Sequence, residues 1–168
     1  EHDLGELDHL FELVLRRVVV DLEGDLRRVG LRRDHFELRR GRLRVRCARE
    51  AIGPGAELYV DANGAFTAKE ALRLAHCIAD YDVTWFEEPV PHHDHAGEAQ
   101  ITAALDTPVA SGESVYGSRG ILEMLRVRAS DIVMPDLQHM GGPTEFMKAA
   151  AFADAYDTPA SNHCYTEM

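Results

Sequence analysis

The stretch TWFEEP, residues 84–89, carries an apolar, aromatic run directly into two adjacent carboxylates and a proline. Trp85 and Phe86 favour an extended, half-buried backbone, and Pro89 marks the point where a strand stops. Paired negative charge at the end of a buried strand needs a physical reason, because a charge removed from water is costly unless it is neutralised. The stretch therefore predicts a strand whose end belongs to a polar site.

The pattern around this strand repeats from about residue 44 onward as helix, short turn and apolar strand. Strands are predicted in AELYVDAN (56–63), VTWFEEP (83–89), PVASGE (108–113), DIVMPD (131–136) and TPASNH (158–163). Helices are predicted over 44–52, 67–81, 95–105, 118–127 and 144–156. Because parallel neighbours need a helical crossover, this alternation predicts an α/β fold with a parallel sheet.

A polar side chain stands at the end of each predicted strand. In chain order these are Asp61, Glu87, Glu113, Asp136 and His163. Each follows the previous one by about one strand-helix unit. In a closed parallel barrel of the TIM type, equivalent strand ends meet on one rim, where such barrels keep their chemistry. The sequence therefore predicts that these five side chains surround one small volume.

Three carboxylates on one rim raise one another's pKa unless a cation neutralises them. Ligation by the oxygens of Asp61, Glu87 and Glu113 favours a hard divalent ion, magnesium rather than zinc, because zinc draws His or Cys ligands. Asp136 and His163 end the next two strands. A carboxylate bonded to one imidazole nitrogen fixes the tautomer and raises the basicity of the other nitrogen. The pattern indicates a magnesium site beside a general acid or base.

Two other polar clusters fit less well. The stretch PHHDH, residues 91–95, is interpreted as a loop over the site, because its consecutive polar residues cannot all face one ion. Ser111 and Ser114 flank Glu113, but no G-x-S-x-G elbow surrounds either serine, so a serine hydrolase is not indicated.

Bulk properties set the limits of function. The chain has 168 residues, of which 45% are hydrophobic and 28% charged, enough for one globular domain with a core. Its formal net charge of −11 argues against nucleic acid or an anionic membrane as partner and leads us to expect a cytoplasmic protein. The three cysteines lack C-x-x-C spacing, so neither a disulfide framework nor a zinc knuckle is predicted.

Residues 1–43 form an atypical, low-complexity segment, which we separate from the barrel-like residues 44–168. The segment uses only eight amino-acid types, with ten Leu and nine Arg. One interpretation is a charged amphipathic helix, since Leu4, Leu7 and Leu10 recur at helical spacing. The other is a stretch translated from the wrong frame of GC-rich DNA.

The motifs in residues 44–168 resemble a known family. The motifs are VDANGAF, VTWFEEP, ASGES, MPDLQHMGG and SNHCYTE. In their order and spacing, these motifs resemble the barrel domain of the enolase superfamily, specifically that of its mandelate racemase subgroup. The resemblance implies an incomplete TIM-type (β/α) barrel that holds about strands three to seven of eight.

The resemblance also implies roles for the strand-end residues. It assigns Mg²⁺ ligation to Asp61, Glu87 and Glu113, and a catalytic dyad to Asp136 and His163. It further implies that Asn63 binds substrate and that Glu88 only supports Glu87.

The activity implied by the resemblance is magnesium-dependent removal of the proton next to the carboxylate of a small hydroxy acid. His163 would act as the base on one face, or as the acid that helps a β-hydroxyl leave. We expect an acid-sugar dehydratase. A 2-hydroxy acid racemase and an inactive, truncated chain that keeps its metal-site residues stay open as alternatives. Full-length members are expected to be homo-oligomers.

One departure from the family concerns the opposite face of the site. The family carries a Lys-x-Lys motif on the second barrel strand, and an ungapped alignment places Gly30 and Arg32 there. The only lysines of the chain, Lys69 and Lys148, fall on predicted helices. Arg32 is a candidate for substrate binding, but it is a poor base because a guanidinium hardly deprotonates.

Overall fold

A computed structural model describes residues 17–22 and 35–163. The strands are β1 (Arg17–Asp21), β2 (Glu57–Asp61), β3 (Trp85–Glu87), β4 (Val109–Ser111) and β5 (Ile132–Val133). The helices are α1 (His35–Ile52), α2 (Ala68–Ile78), α3 (His95–Thr102), α4 (Gly117–Val127) and α5 (Pro143–Ala155), with a 3₁₀ turn (Ala79–Tyr81) after α2. No helix in this described part has the length and apolar character needed to cross a membrane.

The five strands form one sheet in the order of the sequence, and every neighbouring pair is parallel. Isolated parallel bridges continue the sheet beyond β5, joining Val133 to Ala160 and Asp136 to His163. Each strand from β2 to β5 is followed by a helix, which returns the chain to the same end of the sheet. The predicted α/β fold with a parallel, barrel-type sheet is confirmed.

Strand β2 shows how the sheet separates the core from the site. Leu58 and Val60 are fully buried and belong to the hydrophobic core. Because side chains alternate along a strand, Tyr59 and Asp61 lie on the opposite face. The Tyr59 ring packs against that of Trp85 on β3, with 4.4 Å between centroids. One face of the sheet therefore packs against the helices, and the other face carries the side chain of Asp61.

The core has two parts. The larger cluster joins β2, β3 and β4 to α1, α2 and α3, and includes Leu58, Leu74, Phe86, Ile101 and Val109. The smaller one joins β5 to α4 and α5 and includes Ile121, Met124, Val133 and Ala149. Full burial of such a side chain stabilises the fold by about 1.5–3 kcal/mol.

Three features differ from the sequence prediction. Strand β1 was not predicted, although Val18–Val20 is a run of β-branched residues typical of strands. Helix α1 begins at His35, earlier than the expected residue 44. The stretch 158–163 makes isolated bridges rather than a continuous strand, and its Pro159 has no N–H to donate. The proposed N-terminal amphipathic helix lies outside the described residues.

Candidate active site

The three candidate metal ligands come from neighbouring strand ends. Asp61 and Glu87 are the last residues of β2 and β3 and pair across the sheet. Glu113 follows β4 by two residues. Burial, and then the charges of Glu88, Glu87 and Asp61, raise the pKa of Glu113 to about 8. The structure thus brings the predicted carboxylates into one electrostatic neighbourhood, where they repel one another.

Three carboxylates are ligands that suit magnesium, but their oxygens are not arranged around one point. Among residues 17–22 and 35–163, no group of three or more His, Cys, Asp or Glu side chains is arranged to hold a metal ion. Asp61 instead accepts two hydrogen bonds from Asn63, from its backbone N–H and its Nδ2, each 2.8 Å long. Trp85 Nε1 donates to Glu87 at 3.0 Å. Carboxylate oxygens are ligands of the kind that Mg²⁺ prefers.

Asp136 and His163 form the second part of the site. Nδ1 of His163 lies 2.9 Å from Oδ2 of Asp136, and its Nε2 lies 3.3 Å from Oε2 of Glu113. The side chain of His163 keeps about 20% of its surface exposed, whereas that of Asp136 keeps 2%. The structure therefore brings the two residues of the predicted dyad together, and Nε2 of His163 faces Glu113, the third candidate ligand.

Asp136 is held from both sides. Its Oδ1 accepts the backbone N–H groups of Gln138 at 2.7 Å and His139 at 3.0 Å. Burial alone would raise the pKa of Asp136, but the hydrogen bonds from the His139 N–H, the His163 ring and the Gln138 N–H keep it below its ordinary value. The carboxylate is therefore ionised near neutral pH. It accepts a hydrogen bond from the Nδ1–H of His163, which leaves the Nε2 lone pair for proton transfer.

Glu88 lies behind Glu87 in a tight backbone turn. Its φ of 37° is in the left-handed region, which a non-glycine residue adopts at a cost. Its carbonyl oxygen accepts the Gly64 N–H at 2.8 Å, and its own N–H donates to Ala110 at 3.0 Å. Burial raises the pKa of Glu88, and the neighbouring Ser114 opposes this effect. A supporting role for Glu88 stays a prediction.

Sequence reasoning missed His139, which borders the site. Nδ1 of its ring lies 2.6 Å from the Glu113 carbonyl oxygen, so Nδ1 carries the hydrogen. The ring stacks on Tyr116, with 4.8 Å between centroids and 28° between planes. Its only sequence signal is its position in PDLQH, close after a strand-end acid.

The remaining candidates lie apart. His92 and His93 are exposed between β3 and α3, and Asp94 caps α3 by accepting the Gly97 N–H at 2.9 Å. The stretch PHHDH is thus a loop and a helix start, as predicted. Gly30 and Arg32 lie outside the described residues. The strand beside β2 is Arg17–Asp21, so the ungapped alignment does not identify the residues at that position.

Parallel strands in sequence order, helices packed on one face, and acids with an imidazole at the carboxyl ends define an enzyme domain of the (β/α)-barrel class. Residues 14–168 match the model of the enolase C-terminal domain-like family, and the chain belongs to this family. The match begins inside the 1–43 segment. It confirms the resemblance drawn from the sequence motifs.

Relatives with established names are similar over part of their length. D-xylonate dehydratase of Haloferax volcanii is 40% identical over 119 residues, 71% of this chain and 29% of that protein. L-talarate/galactarate dehydratase of Salmonella typhimurium is 31% identical over 164 residues, 98% of this chain and 41% of that protein. This chain therefore spans well under half the length of these relatives.

Solved structures agree with this placement. The crystal structure of L-talarate dehydratase from Polaromonas sp. JS666, complexed with Mg and L-glucarate, matches with a TM-score of 0.80 and 28% identity. The match covers 96% of this chain and 42% of that one. Cycloisomerases and an epimerase also match. The relatives are thus lyases and isomerases of the mandelate racemase subgroup.

Proposed function

We propose that this chain carries the metal-binding carboxylates and the proton-transfer group of an acid-sugar dehydratase. The observation that carries the proposal is the His163 imidazole, held by ionised Asp136 on one side and facing Glu113 on the other. The dehydratases at 40% and 31% identity support a sugar acid as the substrate class.

Asp61, Glu87 and Glu113 would hold Mg²⁺. When bound, the ion supplies positive charge that stabilises the negative charge developing on the substrate carboxylate. The raised pKa of Glu113 supports this assignment, because burial and the neighbouring carboxylates disfavour its ionised form, which a bound cation would stabilise.

His163 would transfer the protons. With Nδ1 donating to Asp136, the Nε2 lone pair takes the hydrogen from the carbon next to the substrate carboxylate. The imidazolium then returns that proton to the β-hydroxyl, which leaves as water while the electron pair of the broken C–H bond forms a carbon–carbon double bond. The enol so formed rearranges to a 2-keto acid. Ionised Asp136 stabilises the imidazolium between the two steps.

Two further residues complete the proposal. Asn63 would bind substrate, and its position is fixed by the two hydrogen bonds to Asp61. Arg32 stays a candidate for substrate binding that rests on the sequence alone.

Elimination fits the visible acid–base chemistry better than racemisation does. Racemisation needs a proton-transfer group on each face of the substrate, whereas elimination can use one group in succession. His163 serves one face. The two lysines of the chain, Lys69 and Lys148, lie on α2 and α5 rather than at a strand end. A racemase is therefore the second candidate.

The test is proton exchange. The chain would be incubated with MgCl₂ and D-xylonate, galactarate or talarate in heavy water, with His163→Asn as the inactive comparison. A 2-keto acid that carries deuterium at C3, taken up when the enol becomes the ketone, supports the dehydratase. Deuterium with inversion and no keto acid supports the racemase. If neither deuterium nor keto acid appears with any substrate, the chain is not catalytic on its own and the proposal fails.

A further inference from the structure

His139 joins the chain segments that follow β4 and β5. Its backbone N–H donates to Oδ1 of Asp136 at 3.0 Å. Its carbonyl oxygen accepts the N–H of Gly117 at 3.3 Å, and its ring Nδ1 lies 2.6 Å from the carbonyl oxygen of Glu113. One residue therefore contacts both the segment that carries a candidate metal ligand and the segment that carries the acid of the candidate dyad.

The orientation of the His139 ring is set by two contacts. A carbonyl oxygen only accepts, so Nδ1 carries the hydrogen whether the imidazole is neutral or charged. In addition, the imidazole stacks on the ring of Tyr116, with 4.8 Å between centroids and 28° between planes. Tyr116 is 72% exposed, so it covers the imidazole from the solvent side. The stack and the hydrogen bond together define the plane of the imidazole.

The segment that carries Glu113 lies outside regular structure, between β4 and α4. Gly112 has a φ of +130°, and a Cβ placed there would lie 3.2 Å from the backbone nitrogen of Met134, so the chain passes close to the end of β5. The next carbonyl group along the chain is the one that His139 binds. Because the peptide unit is planar, fixing this oxygen restricts ψ of Glu113. The direction in which the Glu113 side chain leaves the backbone is restricted with it.

The contacts of His139 complete a closed circuit of four residues. Oδ1 of Asp136 accepts the His139 N–H, and Oδ2 lies 2.9 Å from Nδ1 of His163. Nε2 of His163 lies 3.3 Å from Oε2 of Glu113. The main chain of Glu113 returns to the ring of His139. Loss of the ring contact would therefore release Glu113 from the segment that orients the candidate dyad.

We propose that His139 is a positioning residue that holds Glu113 against the candidate dyad through the hydrogen bond from Nδ1 to the Glu113 carbonyl oxygen. The mechanism proposed above gives His139 neither a proton to transfer nor a metal to bind. It acts on the groups that do. The effect on Mg²⁺ binding rests on the proposed function, whereas the connection between the two segments does not.

Two substitutions separate the hydrogen bond from the ring. His139→Phe keeps a ring that stacks on Tyr116 but has no donor. His139→Asn has no ring, but its amide nitrogen can occupy the position of Nδ1 and donate. Both keep the backbone N–H that Asp136 accepts. His76→Phe is the matched control, because Nδ1 of His76 lies 2.6 Å from the carbonyl oxygen of Leu72 on the exposed surface of α2.

The first measurement is the ¹⁵N order parameter of the Glu113 and Ser114 amides, at one fixed pH. It should fall from about 0.85 in the wild type toward about 0.6 in His139→Phe. His139→Asn should recover most of the wild-type value, and His76→Phe should leave it unchanged. Equal values in the wild type and His139→Phe would show that the hydrogen bond does not hold the segment. Equal losses in both His139 variants would show that the ring matters and the donor does not. Either result overturns the proposal.

If His139→Phe does not fold, the wild type provides the test. Two-bond ¹H–¹⁵N spectra distinguish imidazole nitrogens that carry a hydrogen from those that do not. Nδ1 of His139 should appear as a nitrogen that carries hydrogen, because its partner is an acceptor only. A bare Nδ1 would contradict the proposal.

Magnesium binding, measured by calorimetry at pH 7, separates this inference from the proposed function. Loss of a contact that orients a metal ligand typically weakens binding by about 10–100-fold, so His139→Phe should bind Mg²⁺ about tenfold more weakly than the wild type. His139→Asn should bind within about threefold of the wild type. Equal affinity in the wild type and His139→Phe would show that His139 does not position Glu113 as a ligand. If the wild type binds no Mg²⁺, the proposed function fails, and the order parameters still decide whether His139 holds the segment.

Discussion

Nδ1 of His163 lies 2.9 Å from Oδ2 of Asp136, although 27 residues separate them in the chain. The other oxygen of Asp136 accepts hydrogen bonds from two backbone N–H groups, so the position of the carboxylate does not depend on the imidazole alone. An acceptor-only partner selects the tautomer in which Nδ1 carries the hydrogen. The pair therefore behaves as one unit, with Nε2 as its reactive atom.

Asp136→Asn should reduce α-proton exchange by about 10²–10⁴-fold, because the asparagine amide can donate to Nδ1 and stabilise the wrong tautomer. His163→Asn should cost at least as much. Since the two residues act as a unit, the double variant should be no slower than His163→Asn alone. The rate of deuterium incorporation, followed by NMR, checks all three variants.

The matched control for this series is Asp80→Asn, an exposed carboxylate in the 3₁₀ turn after α2. It removes the same charge away from the site and should leave the exchange rate unchanged. Multiplicative losses in the Asp136–His163 double variant would show that the two residues act independently.

Asp136 should also shape stability in acid. Its folded pKa is depressed, so its contribution is present above the unfolded value of about 3.9 and is lost as pH falls through the lower folded value. The wild type should therefore lose stability below about pH 4 more steeply than Asp136→Asn does. Denaturant unfolding between pH 5 and pH 2 measures both slopes, and parallel curves would contradict the hydrogen-bonded, ionised carboxylate.

The strand-end residues could be predicted because they depend on local pattern. Apolar runs such as LYV and WF end at a carboxylate, and Gly or Pro marks the following turn, so position along the chain fixes position on the sheet. The family match extends this pattern to a fold. The roles of Asp61, Glu87 and Glu113 as ligands remain predictions.

The features that were missed depend on composition or on distant contacts. Strand β1 and the start of α1 lie in the segment whose repetitive Leu and Arg content hides the apolar period, yet Val45 of α1 is fully buried. Glu98 looks like a surface charge on a helix, and only the packing of α3 against the sheet buries it. The structure and burial of such residues depend on tertiary contacts, which a local sequence pattern does not predict.

Arg49 should be one of the most sensitive positions for stability. Its guanidinium donates to four backbone carbonyl oxygens, those of Gly53, Ala56, Tyr81 and Asp82, at 2.7–2.9 Å. It thereby joins the end of α1 to the turns that precede β2 and β3. Arg49→Ala should lower the free energy of unfolding by about 2–4 kcal/mol, because several carbonyls lose a charged donor together. Denaturant unfolding gives the value.

Arg46→Ala is the control for Arg49. Arg46 is on the same helix and makes one exposed ion pair with Glu50 at 3.5 Å, so its removal should cost less than about 0.5 kcal/mol. Arg49→Lys should fall between the two alanine variants, because an ammonium cannot reproduce the planar fork. Equal losses for Arg46→Ala and Arg49→Ala would refute the anchoring role.

Gly64 holds the turn after Asp61 against the strand that carries Glu87. It has a φ of +66°, and a Cβ placed there would lie 3.1 Å from Cα of Pro91. Gly53 has a similar φ of +72° but open space around its Cβ position. Gly53→Ala should therefore cost about 1–2 kcal/mol from backbone strain alone. Gly64→Ala adds a clash with backbone that cannot move aside easily, so it should cost about 1–3 kcal/mol more and should also slow α-proton exchange. Unfolding and exchange measured on both variants separate strain from contact, and equal values would show that Pro91 yields to the new methyl group.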